Sequence, residues 1–230
     1  MKRFYREVSV APGAGGFTIQ LDGRTVRTPD RADLALPTAA LADAIADEWR
    51  AQGDTVSPAT MRLIGLANAA IDKVRPARAA FAADLAKYGE SDLLCYRAGD
   101  PADLVAAEAA AWDPLLGWAQ ARYDIHFEIA TGIVHRAQPP ATVARLAEAV
   151  FARDDFALAA LSPLVRIAGS LVIALAVAEA EITAEAGFDA AHLDEVWQAG
   201  RWGEDAEAIA ARTARKADFV AAARFIALLG

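Results

Sequence analysis

The sequence predicts an α+β fold, with a small β-rich N-terminal domain (residues 1–36) followed by a larger α-helical domain (residues 37–230). Three observations predict it. Residues 4–36 alternate apolar and polar positions, the period turns helical after Pro37, and nearly everything from Pro101 onward keeps that helical period with abundant alanine. Strands first and helices afterwards, without alternation, point to α+β rather than a wound α/β sheet. A later helix can still pack against the small sheet.

The strand region starts with Phe4, Val8 and Val10 and continues with Phe17, Ile19 and Leu21. Asp22-Gly23 between two such runs predicts a hairpin, because both central residues of a type I′ turn need positive φ. Gly13-Ala14-Gly15-Gly16 is another turn; no helix start and no Gly-Lys-Ser/Thr ending follow it, which argues against a phosphate loop. Leu34 and Leu36 add a short strand.

Thr38 is placed to cap a helix in which Leu41, Ile45 and Trp49 share one face, with Gly53 as its stop. Further helices are expected over Pro58–Val74, from Pro76 to near Gly89, and over Pro101–Tyr123, where Pro114 interrupts. Others follow over Pro139–Arg153, Pro163–Ala180, Ala190–Ala199 and Glu204–Leu229, and Ile125–Val134 has strand character. Leu93-Leu94-Cys95-Tyr96 fits strand or helix equally.

Bulk properties limit the function. With 230 residues and 55% hydrophobic side chains, the chain buries a real core. A net charge of -8 and no basic block disfavour nucleic acid. The greasiest stretch, Ile167–Ala178, is well short of the ~20 residues that span a bilayer and reads as a buried helix holding Gly169-Ser170, so no membrane insertion is expected. A single cysteine, Cys95, excludes an internal disulfide and reads as a small buried apolar residue in a reducing compartment. The N-terminus lacks a secretory or organellar leader pattern, which points to the cytoplasm.

No catalytic constellation assembles. His126, His135 and His192 lack metal-ligand spacing and read as surface or edge residues, so neither metal nor cofactor is expected. Adjacent acids at Asp154-Asp155, Asp194-Glu195 and Glu204-Asp205 point about 100° apart on a helix and do not converge on one bond. Tryptophan distribution is the positive signal. Trp197 and Trp202 stand among Asp194, Glu195, Glu204 and Asp205, joining apolar anchors to a polar rim as a protein contact surface does. Trp49, Trp112 and Trp118 read as structural.

Several segments together resemble the assembly chaperones of the ATP synthase catalytic sector. They are Leu21-Asp22-Gly23-Arg24-Thr25-Val26-Arg27-Thr28-Pro29, Leu36-Pro37-Thr38 with Glu48-Trp49, Leu66–Asp72, Asp92–Arg97, Trp112-Asp113-Pro114-Leu115, Gly169-Ser170-Leu171, and Leu193-Asp194-Glu195 with Trp197-Gln198 and Trp202-Gly203. The alanine- and arginine-rich composition fits a bacterial, alphaproteobacterial-like member, the eukaryotic relatives being mitochondrial. The resemblance implies an ATP-independent chaperone, not an enzyme, that binds the unassembled alpha subunit of F1-ATPase and prevents its aggregation. It places the family's functionally sensitive acid on Asp194 or Glu195, and a sensitive tryptophan on Trp49. A monomer is expected. The competing reading is a small soluble hydrolase using an acidic-residue site.

Overall fold

The structure, a computed structural model, describes residues 1–230. The chain divides into two compact units, residues 1–78, 154–160 and 221–230 forming the first and residues 79–153 and 161–220 the second.

The first unit is built on a three-stranded antiparallel sheet in the order β1 (Val8–Gly13), β2 (Gly16–Leu21), β3 (Arg24–Thr25). Val8 pairs with Leu21 and Gly13 with Gly16, so Ala14 and Gly15 make the first turn. Asp22 and Gly23 both have positive φ, 49° and 77°, as the predicted hairpin requires. Gly16, at φ 140°, has no room for a Cβ against the Leu36 carbonyl. Phe17 and Leu36 exchange both backbone hydrogen bonds at 2.8 Å, and this bridge is what forms of the expected Leu34–Leu36 strand.

Strand gives way to helix between Leu36 and Ala39. Helix α1 (Ala39–Arg50) starts at Thr38, whose Oγ1 accepts the Leu41 N–H at 3.1 Å. It packs on β1 and β2, burying Leu41 and Ile45 in a core with Ile19, Leu34 and Leu36. The helix ends before Gly53, with Ala51 rather than a glycine at its C-cap. The stretch expected as one helix over Pro58–Val74 is a 3₁₀ turn (Pro58–Thr60), helix α2 (Arg62–Ala69) and a π turn (Ala70–Val74). The Glu48 carboxylate accepts the Leu63 and Ile64 N–H groups at 2.8 and 3.0 Å, supplying the cap that α2 lacks locally. Phe156 stacks on Phe225 with centroids 6.4 Å apart, and Thr38 Oγ1 donates to the Leu228 carbonyl at 2.6 Å.

The second unit is helical. It holds α3 (Arg78–Ala86) from Ala79 on, α4 (Ala102–Tyr123), α5 (Pro140–Phe151), α7 (Leu171–Ala178), α8 (Ala184–Ala191) and α9 (Leu193–Trp202). Helices α6 (Asp155–Ala168) and α10 (Ala206–Ala227) are shared between the units. Pro114 does not interrupt α4: it lies on the exposed side of the helix, as does Ala110, whose carbonyl it cannot serve. Leu93–Cys95 forms a 3₁₀ turn, and Tyr96–Arg97 (β4) pairs in parallel with Ala130–Thr131 (β5), the only strand within the expected Ile125–Val134.

The apolar run is the main departure from the expected helices. Pro163 lies inside α6 rather than at a helix start, since Asp154 caps that helix by accepting the Ala157 N–H at 2.8 Å. Gly169, at φ 64°, ends it, and Ser170 Oγ accepts the Ile173 N–H at 3.0 Å to begin α7. Fully buried Asp92 fastens this corner, accepting Ser170 Oγ at 2.7 Å, Val172 N–H at 2.9 Å and Leu94 N–H at 3.1 Å. Burial pushes its carboxyl pKa up. Beside it, Cys95 is buried as expected and burial raises its thiol to about 12, which leaves it unreactive. The helix expected over Ala190–Ala199 is the end of α8 and most of α9, broken at His192. No helix is long and apolar enough to cross a membrane.

Candidate functional site

Helix α9 begins with Asp194 and Glu195 in its first turn, where carboxylates complement the positive end of the helix dipole. None of its residues is fully buried. Leu193 and Trp197, four apart, are half-buried, whereas Val196 is 50% and Trp202 75% exposed. Trp197 and Trp202 meet edge to face, centroids 6.2 Å apart. Arg201 lies over the Trp197 ring at 4.3 Å and reaches Asp103 of α4 at 2.8 Å. These contacts fix Trp197 while Trp202 projects into solvent. Ile209, in the first turns of α10, is also exposed.

The acids have different fates. Glu195 receives Arg215 of α10 at 2.8 Å and stands 3.7 Å from Arg212. Glu204 takes both terminal nitrogens of Arg212, one of them at 2.6 Å. Asp205 caps α10, accepting the Ala208 N–H at 2.7 Å. Glu195 therefore ties α9 to α10, while Glu204 and Asp205, in the connection between them, fasten the start of α10. Asp194 turns inward and meets Glu108 of α4, whose side chain is buried and accepts the Ala98 N–H at 2.9 Å. Asp194 Oδ1 is buried without a hydrogen-bond partner. Burial is the main cause that raises both pKa values, with the charge of Asp194 adding to it at Glu108.

The remaining tryptophans sit apart from this face. Trp112 is buried, its Nε1 donating to the Ala190 carbonyl at 2.8 Å, and Arg97 lies over its ring at 5.2 Å. Trp118 is half-buried against the edge of Tyr123 at 5.7 Å. Trp49 is half-buried in the first unit, edge to face with Tyr5 at 5.4 Å. His126 and His135 are exposed, but His192, expected at the surface, is buried and stacked on Phe188 at 3.9 Å. Burial lowers its pKa.

The partners that organise the face, Glu108, Arg212 and Arg215, were not singled out from the sequence. Glu108, an acid among alanines one turn before Trp112, carried a readable signal; the arginines on the α10 surface carried none.

A family model described as ATP12 chaperone protein matches residues 2–120. The chain belongs to the ATP12 chaperone family. Solved structures agree with the assignment over the whole chain. The crystal structure of Atp12 from Paracoccus denitrificans is 41% identical, with a TM-score of 0.95, covering 100% of this chain and 98% of its own. A mutant of that protein with lysine in place of an aspartate superposes equally well. Atu1473 from Agrobacterium tumefaciens, described as a candidate chaperone, is 43% identical with a TM-score of 0.96, over 100% of this chain and 86% of its own. Family membership assigns this chain the role of a chaperone in F1-ATPase assembly. The β-rich beginning, the helical remainder and the alphaproteobacterial affinity expected from the sequence agree with these relatives.

Proposed function

We propose that this chaperone binds the unassembled alpha subunit of F1-ATPase through α9 and the start of α10, and keeps it from aggregating without using ATP. The observation that carries the reading is an exposed tryptophan, Trp202, on an otherwise charged face with exposed Val196 and Ile209. An orphan subunit exposes apolar surface meant for its neighbours, and a holder covers it with apolar anchors inside a polar rim. Val196, Trp197 and Trp202 are the anchors. Asp194, Glu195, Glu204 and Asp205 form the rim, and Glu195 and Glu204, through Arg212 and Arg215, help hold the anchors in place. Trp49, Trp112 and Trp118 act in folding. Exchange for the beta subunit, which buries the same client surface more fully, releases the client. The protein works as a cytoplasmic monomer, without enzymatic activity.

The test is light scattering from denaturing alpha subunit, with and without the chaperone, in nucleotide-free buffer. Suppression near one-to-one stoichiometry is expected. Unchanged scattering, or suppression only with added ATP, refutes the proposal.

A further inference from the structure

The first unit contains an open cavity of about 690 Å³ that no step above uses. Its wall is aromatic: Phe4, 62% exposed, meets Tyr5 edge to face at 5.4 Å, and Tyr5 meets Trp49 in the same way. Tyr5 is fixed by donating its hydroxyl to the Trp49 carbonyl at 2.7 Å, so this wall is pre-formed. The Trp49 indole N–H and Asn68 Oδ1, on two further lining residues, are buried without hydrogen-bond partners. Such groups are costly to bury unless something answers them.

The opposite wall is the chain from Arg24 to Pro29. It includes β3, which has only β2 as a neighbour. The Val26 N–H donates to the Ile19 carbonyl at 2.8 Å, and Leu21 pairs with Arg24. Backbone groups alternate in direction along a strand, so the N–H and C=O of Thr25 point away from the sheet toward a free edge. Charge adds a preference. The first unit carries twelve Lys and Arg against eleven Asp and Glu, while the second carries eleven against twenty. Arg24 makes no ion pair, although its charge acts on Asp22, which also lines the cavity, and Arg27 pairs with the exposed Asp33 at 3.4 Å and donates to the Arg31 carbonyl at 3.3 Å.

We infer that this cavity is a second client site, which takes an extended polypeptide segment carrying a large apolar side chain beside an acidic residue. The apolar side chain enters against Phe4, Tyr5 and Trp49. The segment's backbone bonds to the free edge at Thr25, and a peptide group is the kind of partner that can accept from the Trp49 Nε1–H and donate to Asn68 Oδ1. The acidic side chain pairs with Arg24. A free strand edge with an adjoining side-chain pocket is the usual geometry for capturing an extended peptide. The client's identity rests on the chaperone proposal; the pocket and its chemistry do not.

The test uses full-length protein with benzoylphenylalanine introduced by Val26→benzoylphenylalanine or, separately, Val196→benzoylphenylalanine, irradiated with the alpha subunit. Both positions are expected to crosslink, and peptides joined to position 26 should hold a large apolar residue within three positions of Asp or Glu. Crosslinking from 196 but not 26 overturns the second site and leaves the chaperone proposal standing. Crosslinking from neither overturns both. Arg24→Glu, at an exposed position that does not disturb folding, is expected to weaken capture five- to tenfold at low salt with an unchanged melting curve; unchanged capture overturns the ionic contact. A small molecule that native mass spectrometry finds bound to purified protein, and that Val26→Asp abolishes, also overturns the peptide assignment.

Discussion

Trp202→Ala separates contact from folding. Trp202 is 75% exposed, so only about a quarter of a side chain worth ~200 Å² is covered, some ~50 Å². At ~25 cal/mol per Å² that is about 1.2 kcal/mol, and loss of the edge contact with Trp197 adds ~0.5–1 kcal/mol. The folded protein should therefore lose no more than about 2 kcal/mol, a fall in melting temperature of ~4–8 °C for a chain of this size. Capture should suffer more. A central aromatic anchor contributes ~2 kcal/mol or more to binding, roughly a thirtyfold change in Kd. Circular dichroism melts and titration of fluorescently labelled alpha subunit measure the two effects. A variant that captures the client within threefold of the parent refutes the role given to this tryptophan, whatever its melting temperature.

Three further variants test the framework. Asp92→Ala strands the Ser170 hydroxyl and the Val172 and Leu94 N–H groups, and urea unfolding should show a loss of ~3–5 kcal/mol; a loss under 1 kcal/mol refutes the fastening role. The carboxyl raised at Asp194 gives the folded protein more bound protons than the unfolded chain above the ordinary carboxyl range near pH 4, so its contribution is full below that range and is lost as pH rises through the raised value. Asp194→Asn should flatten this decline and melt ~2–4 °C higher than the parent at pH 8, and identical pH profiles would refute the cost assigned to the buried Asp194 carboxylate. Trp49→Arg removes the ring against Tyr5 and should cost about 3 kcal/mol by chemical denaturation, whereas a normally stable variant would show the ring to be dispensable.

What was legible follows from the range of each signal. The Asp22-Gly23 turn and the Thr38 cap are local, needing only the few residues around them, and both form as read. The apolar stretch from Phe156 to Ala178 was misdivided because Pro163 was weighted as a helix start. The acids at 154–155 and the Gly169-Ser170 pair, a helix stop followed by a cap, were the stronger marks. His192 was misplaced because the sequence does not show Phe188 lying parallel to it one turn earlier. For the candidate face the tryptophans and acids were readable, but their arrangement was not. Glu108 and Asp194 stand 86 positions apart in sequence, and no local pattern announces their meeting.

That arrangement changes what the acids can do. Glu195 and Glu204 already hold guanidinium partners, and Asp205 is engaged at a helix start. A client cation meeting this rim has to compete with Arg212 and Arg215, so the rim offers little unanswered charge. Apolar anchoring then carries the affinity at α9, because a client cation pairing with the half-exposed Glu195 would add ~1 kcal/mol at most. The cavity in the first unit has the opposite character, with Arg24 unpaired at its mouth. Salt therefore distinguishes the two surfaces. Raising ionic strength from 0.05 to 0.5 M should leave crosslinking at position 196 nearly constant while crosslinking at position 26 falls, because screening shortens the reach of an exposed charge to a few ångströms. Equal salt dependence at both positions would mean that the rim acids meet the client directly, and that their arginines let go when it binds.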